Sequence, residues 1–218
     1  MKLSLLSVNV GRPRILGTVN GETVLSGIAK NPLDSDSVFV GTTNLEGDGQ
    51  ADLSVHGGPD KAVYAYPIAH WPWWESEHRL PCRPNTFGEN LTLEGADESQ
   101  ISIGDRFQWG EALLEVSQPR APCLKLAMHT RREDVPQLMT LSARCGWYLR
   151  VVREGVAPLR HAALVRTFES GEMNVKDVFV AVMHPRTARE TLQRVSKLPA
   201  LAHAWHNAVA QHLARSGL

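Results

Sequence analysis

The feature that most constrains this chain is a series of turn signals set between short apolar-rich runs across its first two thirds. Residues 15–19 and 22–25 flank Asn20-Gly21, and an Asn-Gly pair between two such runs is the strongest short hairpin signal. Residues 37–42 read as a further strand. Residues 106–109 and 112–118 flank Gly110-Glu111 as a second hairpin, and residues 147–152 and 162–168 add two more strands. Many short strands at this spacing fold into a closed or nearly closed β-barrel. Two helices interrupt the series. One is expected to begin at Pro67, a good first-turn residue, and to run through Trp71, Trp73 and Trp74 to about His78. The other covers residues 133–143, with Val135, Leu138, Met139 and Leu141 at helical spacing before Gly146.

The pattern changes after about Gly171. Asn174 is placed to cap a helix carrying Val175, Val178, Phe179, Val182 and Met183, and Pro185 is placed to end it. Residues 187–196 and 200–215 read as two further helices. The expected fold class is therefore mainly β with added helices: a barrel domain over residues 1–169, then a three-helix module over residues 170–218. A segment that short makes a poor independent core, so it is expected to pack on the barrel or to pair across a homodimer.

Charge and cysteine content exclude several functions. The 23 Lys and Arg residues balance 23 Asp and Glu residues, so no basic excess points to nucleic acid. No apolar run reaches the length of a membrane span. The apolar start at Leu3, Leu5 and Leu6 meets Asn9 and then Arg12-Pro13-Arg14, too early for a signal-peptide core, and the cytoplasm is the expected compartment. Cys82, Cys123 and Cys145 are isolated from one another. Three unpaired cysteines argue against a disulfide framework and against a four-cysteine iron–sulfur cluster held by one chain. There is no GxGxxG, P-loop, GxSxG or HExxH motif. His203 and His206 share a helical spacing without a carboxylate motif, which leaves a zinc site improbable.

The chemistry concentrates in Gln118-Pro119-Arg120-Ala121-Pro122-Cys123-Leu124-Lys125. Two prolines stiffen the backbone before Cys123. Arg120 and Lys125 bracket it, and nearby cations favour the thiolate, which attacks electrophiles and ligates metals. A buried structural cysteine is the alternative reading of the same residues. In Val55-His56-Gly57-Gly58-Pro59-Asp60-Lys61, the glycine pair offers backbone amides for an anion, with His56 and Lys61 adding donors; a plain tight turn is the alternative. Phe87-Gly88-Glu89-Asn90 is a bend with a side-chain amide, read by itself as another turn. Phe87, Trp109 and Trp147 suit either a planar pocket or the core.

Taken in order, these stretches resemble the MOSC-domain family, in its YiiM-like subgroup. The matching residues are Leu45-Glu46-Gly47-Asp48, His56 to Ala62, Phe87 to Leu91, Gly104 to Gly110, Gln118 to Leu126 and Gly146-Trp147. The resemblance spans about residues 30–168, and the helical tail resembles the module that follows the domain in this subgroup. It implies a distorted β-barrel and a molybdenum cofactor, in which a pterin dithiolene holds the metal and one protein cysteine completes the sulfur ligation. On that pattern Cys123 is the metal ligand and catalytic residue. His56, Gly57, Gly58, Lys61, Phe87, Gly88, Glu89, Asn90, Gln118, Arg120 and Lys125 are the cofactor-binding set. The implied activity is reduction of N-hydroxylated small molecules, such as hydroxylamino base analogues, to amines. The chain has no haem-attachment motif or flavin fingerprint, so this activity requires an external electron-transfer protein carrying flavin or iron–sulfur. The same fold also admits a sulfur carrier working through a Cys123 persulfide, or a non-catalytic module.

Overall fold

The computed structural model describes residues 1–51, 57–184 and 187–215. Its strands are β1 (Lys2–Val10), β2 (Arg14–Val19), β3 (Glu22–Ser26), β4 (Asn31–Pro32), β5 (Ser37–Val40), β6 (Val63–Pro67) and β7 (Leu91–Glu94). They continue as β8 (Arg106–Trp109), β9 (Ala112–Pro119), β10 (Trp147–Arg153), β11 (Gly155–Pro158) and β12 (Ala163–Phe168). The helices are α1 (Trp71–His78), α2 (Leu124–Thr130), α3 (Val135–Ser142), α4 (Val175–Met183), α5 (Arg189–Val195) and α6 (His203–Arg215).

Seven strands close a barrel in the order β12-β8-β9-β10-β6-β7-β1, with β1 returning to β12 through Leu3↔Leu164. The neighbours are antiparallel except β6 and β7, which pair in parallel through Ala65↔Leu91. A parallel pair needs a crossover, and residues 68–90 supply it, carrying α1 and the loop before Asn90. Trp74, Trp109, Trp147, Tyr66, Phe87 and Phe107 fill the interior as fully buried side chains. The register of β10 against β9 shifts between Tyr148 and Leu149. Such bulges re-aim side chains, and Tyr148 borders the cleft described below.

The hairpin read at Asn20-Gly21 is present as β2–β3, with Asn20 at the positive φ of 50° that a tight primed turn requires. The helix expected from Pro67 starts later. Pro67 ends β6, a 3₁₀ turn occupies Ile68–His70, and α1 begins at Trp71. The proline in its first turn is Pro72, so the initiation signal belonged to a different proline.

The tail packs on its own barrel. Ala202 N–H donates to Ser117 O at 2.9 Å, and Val175 N–H donates to Ile101 O at 2.8 Å. Val175, Phe179 and Trp205 join the same hydrophobic cluster as the barrel side chains. The Asn174 side chain accepts from Asp177 N–H at 2.7 Å, the expected cap of α4. The expected stop at Pro185 lies outside the described residues. Among the described residues no helix is long and apolar enough to cross a membrane.

Candidate functional site

Strands β9 and β10 set the position of Cys123. Gln118 pairs with Tyr148 and Pro119 with Trp147, and Arg120 N–H reaches Gly146 O at 3.3 Å. The chain then runs extended to Cys123, at φ −143° and ψ 171°, which caps α2. Leu126 N–H donates to Cys123 O at 3.0 Å and closes the first turn. The rigid presentation expected from the two prolines is thus reinforced by strand pairing on one side and a helix on the other. Cys123 itself is half-buried.

It lies on the wall of a solvent-open cleft of roughly 700 Å³ counting its open mouth, of which about 100 Å³ admits the centre of a water-sized sphere. Of the sequence-expected residues, Lys61, Gly88, Asn90, Arg120, Cys123 and Lys125 line it. Arg120 is only 4% exposed. Its guanidinium lies 5.4 Å from the centre of the Tyr64 ring and donates to Met139 Sδ at 3.3 Å. Among the described residues no carboxylate forms a salt bridge with it. Burial opposes the Arg120 charge, but Tyr64, Cys123 and Tyr148 outweigh it and raise its pKa. Burial lowers the pKa of Lys61, against the opposing pull of Asp60 and Cys123. The coupling is mutual, so both cations favour a thiolate at Cys123. The other two cysteines differ. Burial pushes the Cys82 thiol up to about 12, and it raises the fully buried Cys145 thiol well above its ordinary value.

The opposite wall is a buried polar network that the sequence reading did not assemble. Asp48 accepts from Lys30 Nζ at 2.7 Å, from Gly11 N–H at 2.9 Å and from Asn90 Nδ2 at 2.8 Å. Asn90 also donates to Asn9 O at 3.1 Å and accepts from Tyr64 N–H at 3.0 Å. Its amide is therefore committed to building the wall. Gln50 accepts from Gly58 N–H at 3.0 Å and donates to Lys61 O at 3.2 Å. That bond engages the Gly58 amide, and neither Gly57 nor Gly58 is in the lining of the cleft. Gly88 sits at φ +83°, where a Cβ would lie 2.4 Å from Ile28 Cγ1, so only glycine keeps this wall closed.

Glu89 and Phe87 stand behind the wall. The buried Glu89 carboxylate accepts from Asn85 N–H at 2.7 Å, Phe87 N–H at 3.0 Å and Thr92 Oγ1 at 2.9 Å, which shapes the bend. Phe87 stacks on Tyr66 at 4.1 Å in the core. Trp109 and Trp147 are fully buried too, so the planar-pocket alternative gives way to core packing for all three aromatics. Gln118 lines an adjoining groove together with Cys123. His56 lies outside the described residues.

A MOSC domain model matches residues 52–167. The chain belongs to the MOSC-domain family. The matched stretch contains Lys61, Asn90, Arg120 and Cys123 and ends in β12, so α4 to α6 of this MOSC protein lie beyond it. The chain is 38% identical over 207 residues to YflK of Bacillus subtilis (strain 168), covering 94% of this chain and 91% of that protein. The crystal structure of YiiM from Geobacillus stearothermophilus superposes with a TM-score of 0.81 at 32% identity, over 97% of this chain and 99% of the other. That match carries the YiiM-like assignment and includes the helical tail. A protein of Gibberella moniliformis (strain M3125 / FGSC 7600) named a reductase is 36% identical over 157 residues, 69% of this chain and 27% of that protein.

Proposed function

We propose that this chain is a cytoplasmic molybdenum cofactor-dependent oxidoreductase that reduces N-hydroxylated compounds to amines. The observation that carries the reading is a half-buried cysteine beside a buried arginine that has no carboxylate partner among the described residues. A buried charge needs a counter-charge. A thiolate at Cys123 together with an anionic ligand in the cleft answers that need. The donor chemistry fits a molybdenum–pterin group: Cys123 offers the soft sulfur ligand, and Arg120, Lys61 and Lys125 offer donors and positive charge to its anionic parts. On this reading Cys123 would hold the metal from the protein side, and the pterin dithiolene would supply further sulfur ligands. Lys30, Asp48 and Asn90 hold the facing wall rigid.

When bound, that group supplies two-electron redox chemistry. The overall reaction is R–NHOH + 2 e⁻ + 2 H⁺ → R–NH₂ + H₂O, with the electrons delivered by an external flavin or iron–sulfur protein. Burial lowers the pKa of the Lys61 ammonium, which makes its Nζ a readier proton donor than an ordinary lysine. The relative named a reductase supports the reductive direction.

Metal and pterin content of wild-type protein from cofactor-competent cells, set beside Cys123→Ala, is the test. The expected result is about one metal per chain in wild type and loss in the variant. Wild type that remains metal-free and inactive in such cells refutes the reading. A labile extra sulfur on Cys123 without pterin assigns the sulfur-carrier function instead.

A further inference from the structure

A roomier hollow than the cysteine cleft opens among β2, β4, the loop after α1 and the end of α2. It measures roughly 1270 Å³ counting its open mouth, of which about 590 Å³ admits the centre of a water-sized sphere. Lys30 is the one residue that lines both spaces, and Cys123 does not line this one. Asn85 builds the partition. Its Oδ1 accepts from Lys30 N–H at 2.9 Å, and its Nδ2 donates to Ile28 O at 3.2 Å. Its carbonyl accepts from His129 Nε2 at 2.9 Å. Asn85 sits at φ 68°, a left-handed conformation that asparagine tolerates better than most residues.

The charges in this hollow have one sign. Arg14, Lys30, Arg83 and His129 line it, and no carboxylate does. Lys30 is committed to Asp48 at 2.7 Å. Arg14 and Arg83 form no salt bridge among the described residues. Burial lowers the pKa of His129, and Arg120, Arg14 and Arg83 push it down further, against the Asn85 bond. The other titratable group in the lining is the Cys82 thiol, pushed up to about 12 by burial and therefore neutral. The remaining wall is apolar, with Pro32, Leu80, Pro81 and Pro84 presenting three proline rings.

We propose that this hollow is a second ligand site, separate from the cysteine cleft, which takes a nucleoside monophosphate with its phosphate among Arg14, Arg83 and His129 and its base on the proline wall. Guanidinium forks match phosphate oxygens in pairs. A concave space with one apolar wall and a few convergent polar groups is the usual form of a small-molecule site. A bare phosphate ion would leave the proline wall wet, and an uncharged nucleoside would leave the two arginines without a counter-charge. A nucleoside monophosphate meets both demands. The ligand touches no atom of Cys123, so it is a resident or an effector and is not turned over there. The inference stands apart from the reductase reading, and its test reads binding alone.

Isothermal titration calorimetry with AMP, adenosine and inorganic phosphate is the first measurement, on loaded and on cofactor-free protein. AMP is expected to bind both forms equally. Adenosine and phosphate are each expected to bind about tenfold more weakly or worse, for want of the charge-assisted bonds or of the apolar contact. Arg14 and Arg83 are exposed, so Arg14→Gln and Arg83→Gln are expected to keep the wild-type Tm while each weakens AMP binding about tenfold. Wild type that does not bind AMP overturns the proposal, as does an affinity unmoved in the double variant. Loss of AMP binding on cofactor loading also overturns it, because the hollow would then belong to the cofactor's own site.

The second measurement locates the phosphate. An anion beside an imidazole favours the imidazolium, so AMP is expected to raise the pKa of His129 in cofactor-free protein. Proton NMR of the histidine rings follows it, with the His129 signal assigned by its disappearance in His129→Gln. Adenosine is expected to leave that pKa where it was. A His129 pKa unmoved by saturating AMP overturns the placement.

Discussion

Each of the three cysteines reads differently once its surroundings are known. Cys82 donates to Leu80 O at 3.4 Å and is partly enclosed, and Cys145 is fully buried beside Gly146. Burial disfavours the thiolate at both. With a pKa near 12, Cys82 holds roughly one thiolate in ten thousand at pH 8. Arg120 acts on Cys145 too, but burial outweighs it there, whereas half-buried Cys123 shares the cleft with both Arg120 and Lys61. Iodoacetamide at pH 8 is therefore expected to add one carbamidomethyl group to cofactor-free protein, mapped to Cys123 by peptide mass spectrometry. Raising the pH towards 12 brings Cys82 into reach. A prominent adduct on Cys82 or Cys145 at pH 8 contradicts this account. The sequence already distinguished Cys123, because the signal was local: two prolines and two cations within a few residues. The same locality misled at Glu89 and Phe87. Their motif is adjacent to Asn90 in sequence, but the bend directs one into the Asn85–Phe87 turn and the other onto Tyr66.

Elements were legible where their signals are short-range. The β2–β3 hairpin follows from Asn20-Gly21, and α4 follows from Asn174 and the spacing of Val175, Val178, Phe179 and Val182. Strand β6 escaped notice because all five of its residues are buried. A strand enclosed on both faces shows no alternation to read, and Pro67 at its end resembles a helix start. Strand β1 escaped for a related reason: its exposure pattern breaks at the irregularity between Leu5 and Ser7. The cap of α4 matters beyond the tail, since this helix brings Val182 and Met183 to the groove. Asn174→Ala removes the acceptor for Asp177 N–H. The expected cost is about 1 kcal/mol, or a fall of roughly 2–4 °C in Tm for a chain of this size. Asn174→Ser, which keeps an acceptor oxygen without setting a second carboxylate against Asp177, is expected to stay close to wild type. A melting temperature unmoved by Asn174→Ala shows that the cap contributes nothing to the fold.

At the scale of the molecule, the balanced charge conceals a local imbalance. The chain carries 23 positive and 23 negative residues, and the buried carboxylates Asp48, Glu98 and Glu115 each have a partner. Arg120, at 4% exposure, has no carboxylate partner among the described residues and meets only Met139 Sδ, the Tyr64 ring and Tyr148. The imbalance exists only after barrel closure. Lys30 and Asn90 reach Asp48 across 18 and 42 residues of chain, and Tyr148 arrives beside Gln118 through the β9–β10 pairing. No sequence window contains those approaches, which is why the facing wall was not legible while Cys123 was. A buried charge held for a ligand is a cost to the unloaded fold, and replacing such a charge with an apolar side chain of similar volume is often neutral or stabilising by about 1–4 kcal/mol. Arg120→Met is therefore expected to leave the Tm of the cofactor-free protein unchanged or to raise it by several degrees. It is also expected to abolish the gain in Tm that loading brings through mass action. Differential scanning calorimetry of loaded and unloaded wild type and variant separates the two effects. A variant that melts well below wild type without cofactor would mean that Arg120 serves the fold, through Tyr64 and Met139, and that its charge is not held for a ligand.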